Sequence, residues 1–284
     1  VFRAGVWKPR TRPNSFEGVG KVGLQWLRAA KAETSLLTTT EVANARHIEL
    51  CLDNDVDILW IGARTTVNPF MGRGIANALK GVDGPVLVKN PINAELGLWL
   101  GAIERLYQAG IKKLAAIHRG FSTFIEMEYR NSPNWRIPIE LKRLLPNLPI
   151  ICDPSHIGGS RDFNEPISQT ALDLGIEGLM IETHIDPDRA LSDSKQQITP
   201  KVLINLLDRL RARNTAITDK QVKAKIARLR TEISHVDSQI IQDLAERFKI
   251  GSTPTILVSA SGPGAARSVG KPPTRDVRAA RERA

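Results

Sequence analysis

Several short segments of this chain deliver cations next to glycine, proline or asparagine: Lys8-Pro9-Arg10-Thr11, Gly62-Ala63-Arg64, Lys89-Asn90 and His118-Arg119-Gly120, with Arg3 just ahead of the first. Guanidinium forks and ammonium point charges match the oxygens of phosphate and carboxylate groups. One basic loop is ordinarily a solvated surface feature. Four that converge would hold a small, multiply anionic molecule, or two of them. A second set is His156, Glu182 and Asp193. Imidazole with carboxylates suits a borderline divalent ion, Mn²⁺, Fe²⁺, Co²⁺ or Zn²⁺. Three ligands and an open position would let that ion polarise a carbonyl oxygen. The plainer alternative is a hydrogen-bonded histidine with two ordinary loop carboxylates, and the cationic set beside it tips the balance toward a site.

Both sets need elements that bring them to one place. Short apolar runs at residues 1–7, 36–41, 57–62, 85–89, 113–118, 148–153 and 178–182 read as strands. Helical patterns lie between or after them, at 22–32, 43–52, 94–109, 138–145, 166–174 and 201–213. Strand and helix in alternation predict a parallel sheet covered by helices. The expected fold is a (β/α)₈ TIM barrel with seven strands visible and the first one lacking. In such a barrel the C-terminal strand ends line one mouth, and every chemistry-bearing segment above follows a strand. An open doubly wound sheet is the alternative, but no glycine-rich phosphate loop follows the first strand.

Residues 219–249 form one long amphipathic pattern, with Ile226, Leu229, Ile233, Val236, Ile240, Leu244 and Phe248 stepping by three and four. That is a helix–helix packing stripe. Residues 251–284 are rich in Gly, Pro, Ser, Ala and Arg and read as a disordered basic tail. The division expected is therefore a barrel over 1–213, a helix over 219–250, and the tail.

The chain has 40 basic and 30 acidic residues in 284, a net charge of +10. A positive body attracts phosphorylated metabolites or nucleic acid. The tail has no aromatic residue for base stacking, which argues against a nucleic-acid partner. Two cysteines, Cys51 and Cys152, are too few for a disulfide framework. No run is long enough and apolar enough for a membrane span and no secretory leader is visible, so the expected location is the cytoplasm. The chain opens at Val1 inside an apolar run, which reads as an N-terminal truncation.

On these residues the sequence resembles the metal-dependent 3-deoxy-D-arabino-heptulosonate 7-phosphate (DAHP) synthases in their type I-beta form. The motifs are Lys8-Pro9-Arg10-Thr11 with Ser15-Phe16-Glu17-Gly18, Gly62-Ala63-Arg64, Pro85-Val86-Leu87-Val88-Lys89, Asp153-Pro154-Ser155-His156, and Glu182 through Asp193 to Gln197. The resemblance implies condensation of phosphoenolpyruvate with erythrose 4-phosphate, the entry to the shikimate pathway. It implies that Arg3, Arg64, Lys89 and Arg119 hold phosphoenolpyruvate, and that Lys8, Pro9, Arg10 and Thr11 receive erythrose 4-phosphate with Lys8 near the aldehyde. His156, Glu182 and Asp193 match three of four metal ligands. The fourth in the family is a cysteine on the first barrel strand, which neither Cys51 nor Cys152 matches. The related synthases that use arabinose 5-phosphate carry a different segment where Lys8-Pro9-Arg10-Thr11 stands.

The long helix resembles the first helix of the all-helical chorismate mutases at Leu229-Arg230, Ile233, Asp237 and Ala245-Glu246-Arg247. Arg230 and Arg247 match substrate-binding positions there. They lie 17 positions apart, about 25 Å along a helix, so one substrate would need arginines from two chains, and a homodimer through this helix is expected. The later mutase helices are missing, so no mutase activity is expected of this chain. The alternative to a synthase is a catalytically inactive barrel serving as a dimerisation or regulatory body.

Overall fold

The computed structural model describes residues 1–10, 13–125, 127–212 and 220–247. Thr11 and the 251–284 tail lie outside the described residues, as does the side chain of Arg247. The chain separates into two compact units, Val1–Thr215 and Ala216–Ala284.

The first unit holds seven parallel strands in sequential order: β1 (Phe2–Arg3), β2 (Thr38–Val42), β3 (Ile58–Ile61), β4 (Val86–Lys89), β5 (Leu114–His118), β6 (Ile150–Cys152) and β7 (Gly178–Leu179). Each expected strand is present, most of them trimmed at their ends, while β2 runs one residue past the expected end to Val42. The helices are α1 (Val22–Thr34), α2 (Ala45–Asp53), α3 (Ala63–Thr66), α4 (Pro69–Ala78), α5 (Leu96–Gln108), α6 (Arg136–Leu144), α7 (Pro154–Gly158), α8 (Asn164–Asp173) and α9 (Pro200–Arg209). This is the seven-stranded barrel that the alternation predicts. Among the described residues no pairing joins β7 to β1. A groove of about 600 Å³ opens there, lined by Phe2, Ile58, Leu87, Ile151 and Met180.

Three helices escaped the sequence reading: the single turn α3, α4 and α7. Helix α4 follows β3 and carries Gly72 and Gly74, which weaken a helical pattern. Its start is set instead by Asn68, whose side chain accepts from the Phe70 and Met71 N–H groups. Helix α7 is one turn long, with Pro154 in the first turn and the Asp153 side chain accepting from the His156 N–H.

The period of two along a strand decides what reaches the mouth. Leu59, Val86, Val88, Ala116, Ile150 and Cys152 face the helices and join the large core. The alternate positions Trp60, Leu87, Ala115, Ile117 and Met180 fill the barrel interior, with Ile58 and Ile151 packed beside them. One step further along that inner parity stand Arg3, Glu41, Lys89, Arg119, Asp153 and Glu182. His118, one residue out of phase, lies behind the sheet against Trp99, Phe121 and Trp135. Burial lowers its pKa to about 3, so it stays neutral.

The second unit contains α10 (Lys220–Arg247). Leu229, Ile233, Val236 and Ile240 of the expected packing stripe are exposed along it, while the Leu244 side chain and Phe248 lie outside the described residues. No helix among the described residues is long and apolar enough to cross a membrane.

Candidate active site

A cavity of about 360 Å³ sits at the C-terminal ends of the strands, lined by Arg3, Lys8, Pro9, Arg10, Glu41, Trp60, Gly62, Arg64, Lys89, Arg119, Arg130, His156 and Asp193, among others. All the cations singled out in the sequence and described by the structure reach it. Arg130, on the β5–α6 connection, adds a cation that strand-end reasoning missed. It donates to Gln196 Oε1 at 2.9 Å.

The cations are interleaved with carboxylates. Arg3 pairs with Glu182 and lies 5.1 Å from the Trp60 ring centroid. Lys89 pairs with Asp153 at 2.8 Å and sits 4.6 Å from the same centroid on β3. Lys8 Nζ donates to Ser192 Oγ at 2.5 Å and to Asp193 Oδ2 at 3.2 Å. Arg10 and Arg130 approach Asp193 at 3.7 and 3.4 Å. Asp193 takes a left-handed φ of 53°, which aims its carboxylate back at this cluster. Its pKa is lowered: burial opposes the charge, but Lys8 outweighs it.

Glu41 is the residue that sequence reading passed over, because β2 otherwise reads as an apolar and threonine run. It is 9% exposed. Burial pushes its pKa up, opposed by Lys89, Arg3, Lys8 and Arg64. Gly62 makes room for it: a side-chain carbon there would fall 1.8 Å from Glu41 Oε1. That is a physical reason for the glycine ahead of Ala63-Arg64.

The Asp-Pro-Ser-His segment works as one unit. Asp153 is fully buried, is ion-paired with Lys89, and caps α7. It also contacts His156 Nδ1 at 3.0 Å. Its pKa lies well below the ordinary range, since His156 and Lys89 outweigh burial. Ser155 Oγ accepts from the Glu182 N–H at 3.0 Å and so ties down the segment that follows β7. Glu182 is pulled well below the carboxylate range by Arg3 and His156 against burial, and its Oε2 accepts from Gln196 at 2.7 Å. His156 is lowered, burial outweighing Asp153.

His156 and Asp193 line the cavity, while Glu182 lines the adjoining groove. Each is engaged elsewhere: His156 with Asp153, Glu182 with Arg3, Asp193 with Lys8. Among the described residues no three His, Cys, Asp or Glu side chains stand together in a way that could hold a metal ion. Cys152 faces the core with its thiol pushed up by burial, and Cys51 is buried in α2 with its pKa raised to about 12. In this arrangement the donor set does not fit a metal.

Residues 1–219 match the DAHP synthetase I family. A curated relative from Thermotoga maritima, named phospho-2-dehydro-3-deoxyheptonate aldolase, is 32% identical over 211 residues, covering 74% of this chain and 60% of that protein. A 2-dehydro-3-deoxyphosphooctonate aldolase from Desulfotalea psychrophila is 31% identical over 233 residues, covering 74% of this chain and 76% of its own length. The crystal structure of the Thermotoga maritima enzyme, titled DAHP synthase, superposes with a TM-score of 0.64 at 33% identity, covering 72% of this chain and 58% of that one. A truncated form of a Thermotoga maritima DAHP synthase superposes with a TM-score of 0.61 at 29% identity, covering 72% of each. The chain thus spans about 60% of the length of the Thermotoga relative.

Proposed function

The chain belongs to the DAHP synthetase I family, and from that premise we propose that its cavity condenses phosphoenolpyruvate with erythrose 4-phosphate to give DAHP and inorganic phosphate. The observation that carries this reading is the gathering of Arg3, Lys8, Arg10, Arg64, Lys89, Arg119 and Arg130 around one cavity. Two phosphorylated substrates repel each other, and fixed cations offset that repulsion while setting the reacting carbons close.

Arg3, Arg64, Lys89 and Arg119 would take the phosphate and carboxylate of phosphoenolpyruvate. Lys8, Pro9, Arg10 and Thr11 would receive the sugar phosphate. The vinyl carbon of phosphoenolpyruvate bonds to the aldehyde carbon, and Lys8 gives a proton to the resulting alkoxide. Water adds to the cationic carbon left behind, and phosphate departs from it. Glu41 is the carboxylate placed to take that water's proton: it lines the cavity, and burial raises its basicity.

No step above is routed through a metal. Metal dependence stays an expectation from the motif match at His156, Glu182 and Asp193, and binding there would require Arg3 and Lys8 to release two carboxylates. We also read the chain as the type I-beta form and α10 as the opening helix of a chorismate mutase. The exposed stripe on α10 favours pairing with a second copy. No mutase turnover is proposed for this chain.

Two observations favour a second reading, a barrel without turnover that acts as a dimerisation or regulatory body. The seam between β7 and β1 is open, and the metal donors are tied to other partners. The octulosonate relatives add the question of the sugar. One assay separates these: phosphate release from phosphoenolpyruvate with erythrose 4-phosphate or arabinose 5-phosphate, each with Mn²⁺ or EDTA. Turnover with the four-carbon sugar supports the synthase. Turnover with the five-carbon sugar alone moves the chain to the octulosonate reaction, and none with either leaves the inactive body. Turnover that survives EDTA removes the metal. Lys8→Ala should cut turnover by about 10²–10⁴ while phosphoenolpyruvate still binds, and unchanged turnover would sink the role given to Lys8.

A further inference from the structure

Asn131 touches both halves of the mouth without lining it. It is 5% exposed and lies on the β5–α6 connection. Its Oδ1 accepts from Arg119 Nη1 at 2.8 Å, and its Nδ2 donates to the His156 carbonyl at 2.7 Å. Its own N–H donates to the Ile157 carbonyl at 3.0 Å, which pins the segment to α7. The turn after Arg119 is cut to admit it. Gly120 has φ +77°, and a side-chain carbon there would fall 2.9 Å from Asn131 Cβ. On the other side Asn90 Oδ1 accepts from the Arg119 N–H at 2.6 Å.

The type of acceptor matters. Arg3, Lys8 and Lys89 each face a carboxylate. Among the described residues Arg119 forms no such ion pair, and its closest side-chain partner is the amide of Asn131. A neutral oxygen orients a guanidinium without cancelling its charge. Burial lowers Arg119 only to about 10, so it is charged at neutral pH. An incoming anion meets an aimed guanidinium whose nearest side-chain partner is a neutral amide.

We propose that Asn131 is a positioning residue that aims Arg119, without a directly paired carboxylate, at an anionic oxygen of phosphoenolpyruvate and couples that aim to the His156 segment. This rests on reading the cavity as the phosphoenolpyruvate site. A carboxylate at 131 would orient Arg119 equally well while neutralising it. An alanine would leave it charged but unaimed.

The test is calorimetric binding of phosphoenolpyruvate, and separately of inorganic phosphate, to the full chain, with steady-state kinetics alongside. Asn131→Asp should weaken phosphoenolpyruvate binding about tenfold or more, and Asn131→Ala by a smaller factor. KM for phosphoenolpyruvate should rise while KM for the sugar phosphate moves less than twofold, a split that general loosening would not give. Thermal melting checks that each variant is folded, and should Asn131→Asp fail to fold, Asn131→Ala decides by the same KM split. Binding within twofold of wild type in the folded variants overturns the proposal alone. A wild-type chain that binds neither phosphoenolpyruvate nor phosphate overturns both the proposal and the reading beneath it.

Discussion

Asp153→Asn isolates the buried charge on which the mouth is built. Lys89 is 3% exposed and Asp153 fully buried, with 2.8 Å between their charged atoms. Asparagine keeps an oxygen to cap α7, so the ~1 kcal/mol tied to a helix cap is largely retained. What is lost is the counter-charge of a buried ammonium. Breaking a buried pair from one side costs about 3–5 kcal/mol, and Glu41, which also stabilises the Lys89 charge, places the expectation near the lower end. That is a large part of the ~5–15 kcal/mol available to a folded domain. Burial already lowers the Lys89 pKa in the intact protein. A lysine whose folded pKa lies below its unfolded value destabilises the fold while it stays charged, and the deficit shrinks as pH rises through the folded pKa. The variant should therefore recover part of its loss as pH rises toward the ordinary lysine pKa of about 10.4. The wild type behaves oppositely at the acid end. Asp153 and Asp193 are lowered in the fold, so their contribution is present above the ordinary carboxylate pKa of about 4 and is lost as pH falls below it. Urea unfolding followed by tryptophan fluorescence measures this, because Trp60 and Trp99 are buried. Lys89→Met added to Asp153→Asn should restore most of the loss, since an apolar side chain no longer needs a counter-charge. A deficit under about 1 kcal/mol at pH 7, or one that does not change with pH, would refute the reasoning.

Two further outcomes follow from the geometry. Glu41→Gln should lower kcat by about 10²–10⁴ while KM for phosphoenolpyruvate stays level or falls, because a negative charge leaves an anion site; steady-state kinetics decide, and an unchanged kcat removes Glu41 from the proton step. If α10 self-associates through its exposed stripe, Ile233→Asp should weaken that association by roughly tenfold or more, read as mass by light scattering against the 31.3 kDa chain; a mass unchanged from wild type would remove the pairing.

The strands were legible because their apolar runs are short, bounded and followed by polar segments. The same alternation that buries Val86 and Val88 on one side and Leu87 on the other carries Lys89 inward. What stayed hidden depends on neighbours distant in the chain. Glu41 reads as the end of an ordinary strand until Gly62, a strand away, is seen to leave room for its carboxylate. Arg130 and Asn131 lie in a connection without periodicity, and only the turn at Gly120 and the hydrogen bonds to α7 bring them to the mouth. His118 shows the converse. Adjacent to Arg119 in sequence, it belongs to the opposite face and ends in an aromatic cage.

The partners of Asp193 link the two halves of the cavity. One carboxylate is approached by Lys8, Arg10 and Arg130, three of the cations that line the cavity. Under the proposed reading, a phosphorylated sugar would offer those cations a doubly charged group with more acceptor oxygens and would draw them from Asp193. Burial already opposes the Asp193 charge, and losing Lys8 leaves that opposition less compensated. The carboxylate then gains most from any new cation or proton donor near it. Arg3 and Lys89 differ, because Glu182 and Asp153 sit deeper than the cavity wall. On this argument a sugar phosphate held by Lys8, Arg10 and Arg130 would change the electrostatics at Asp193 more than phosphoenolpyruvate held by Arg3 and Lys89 would.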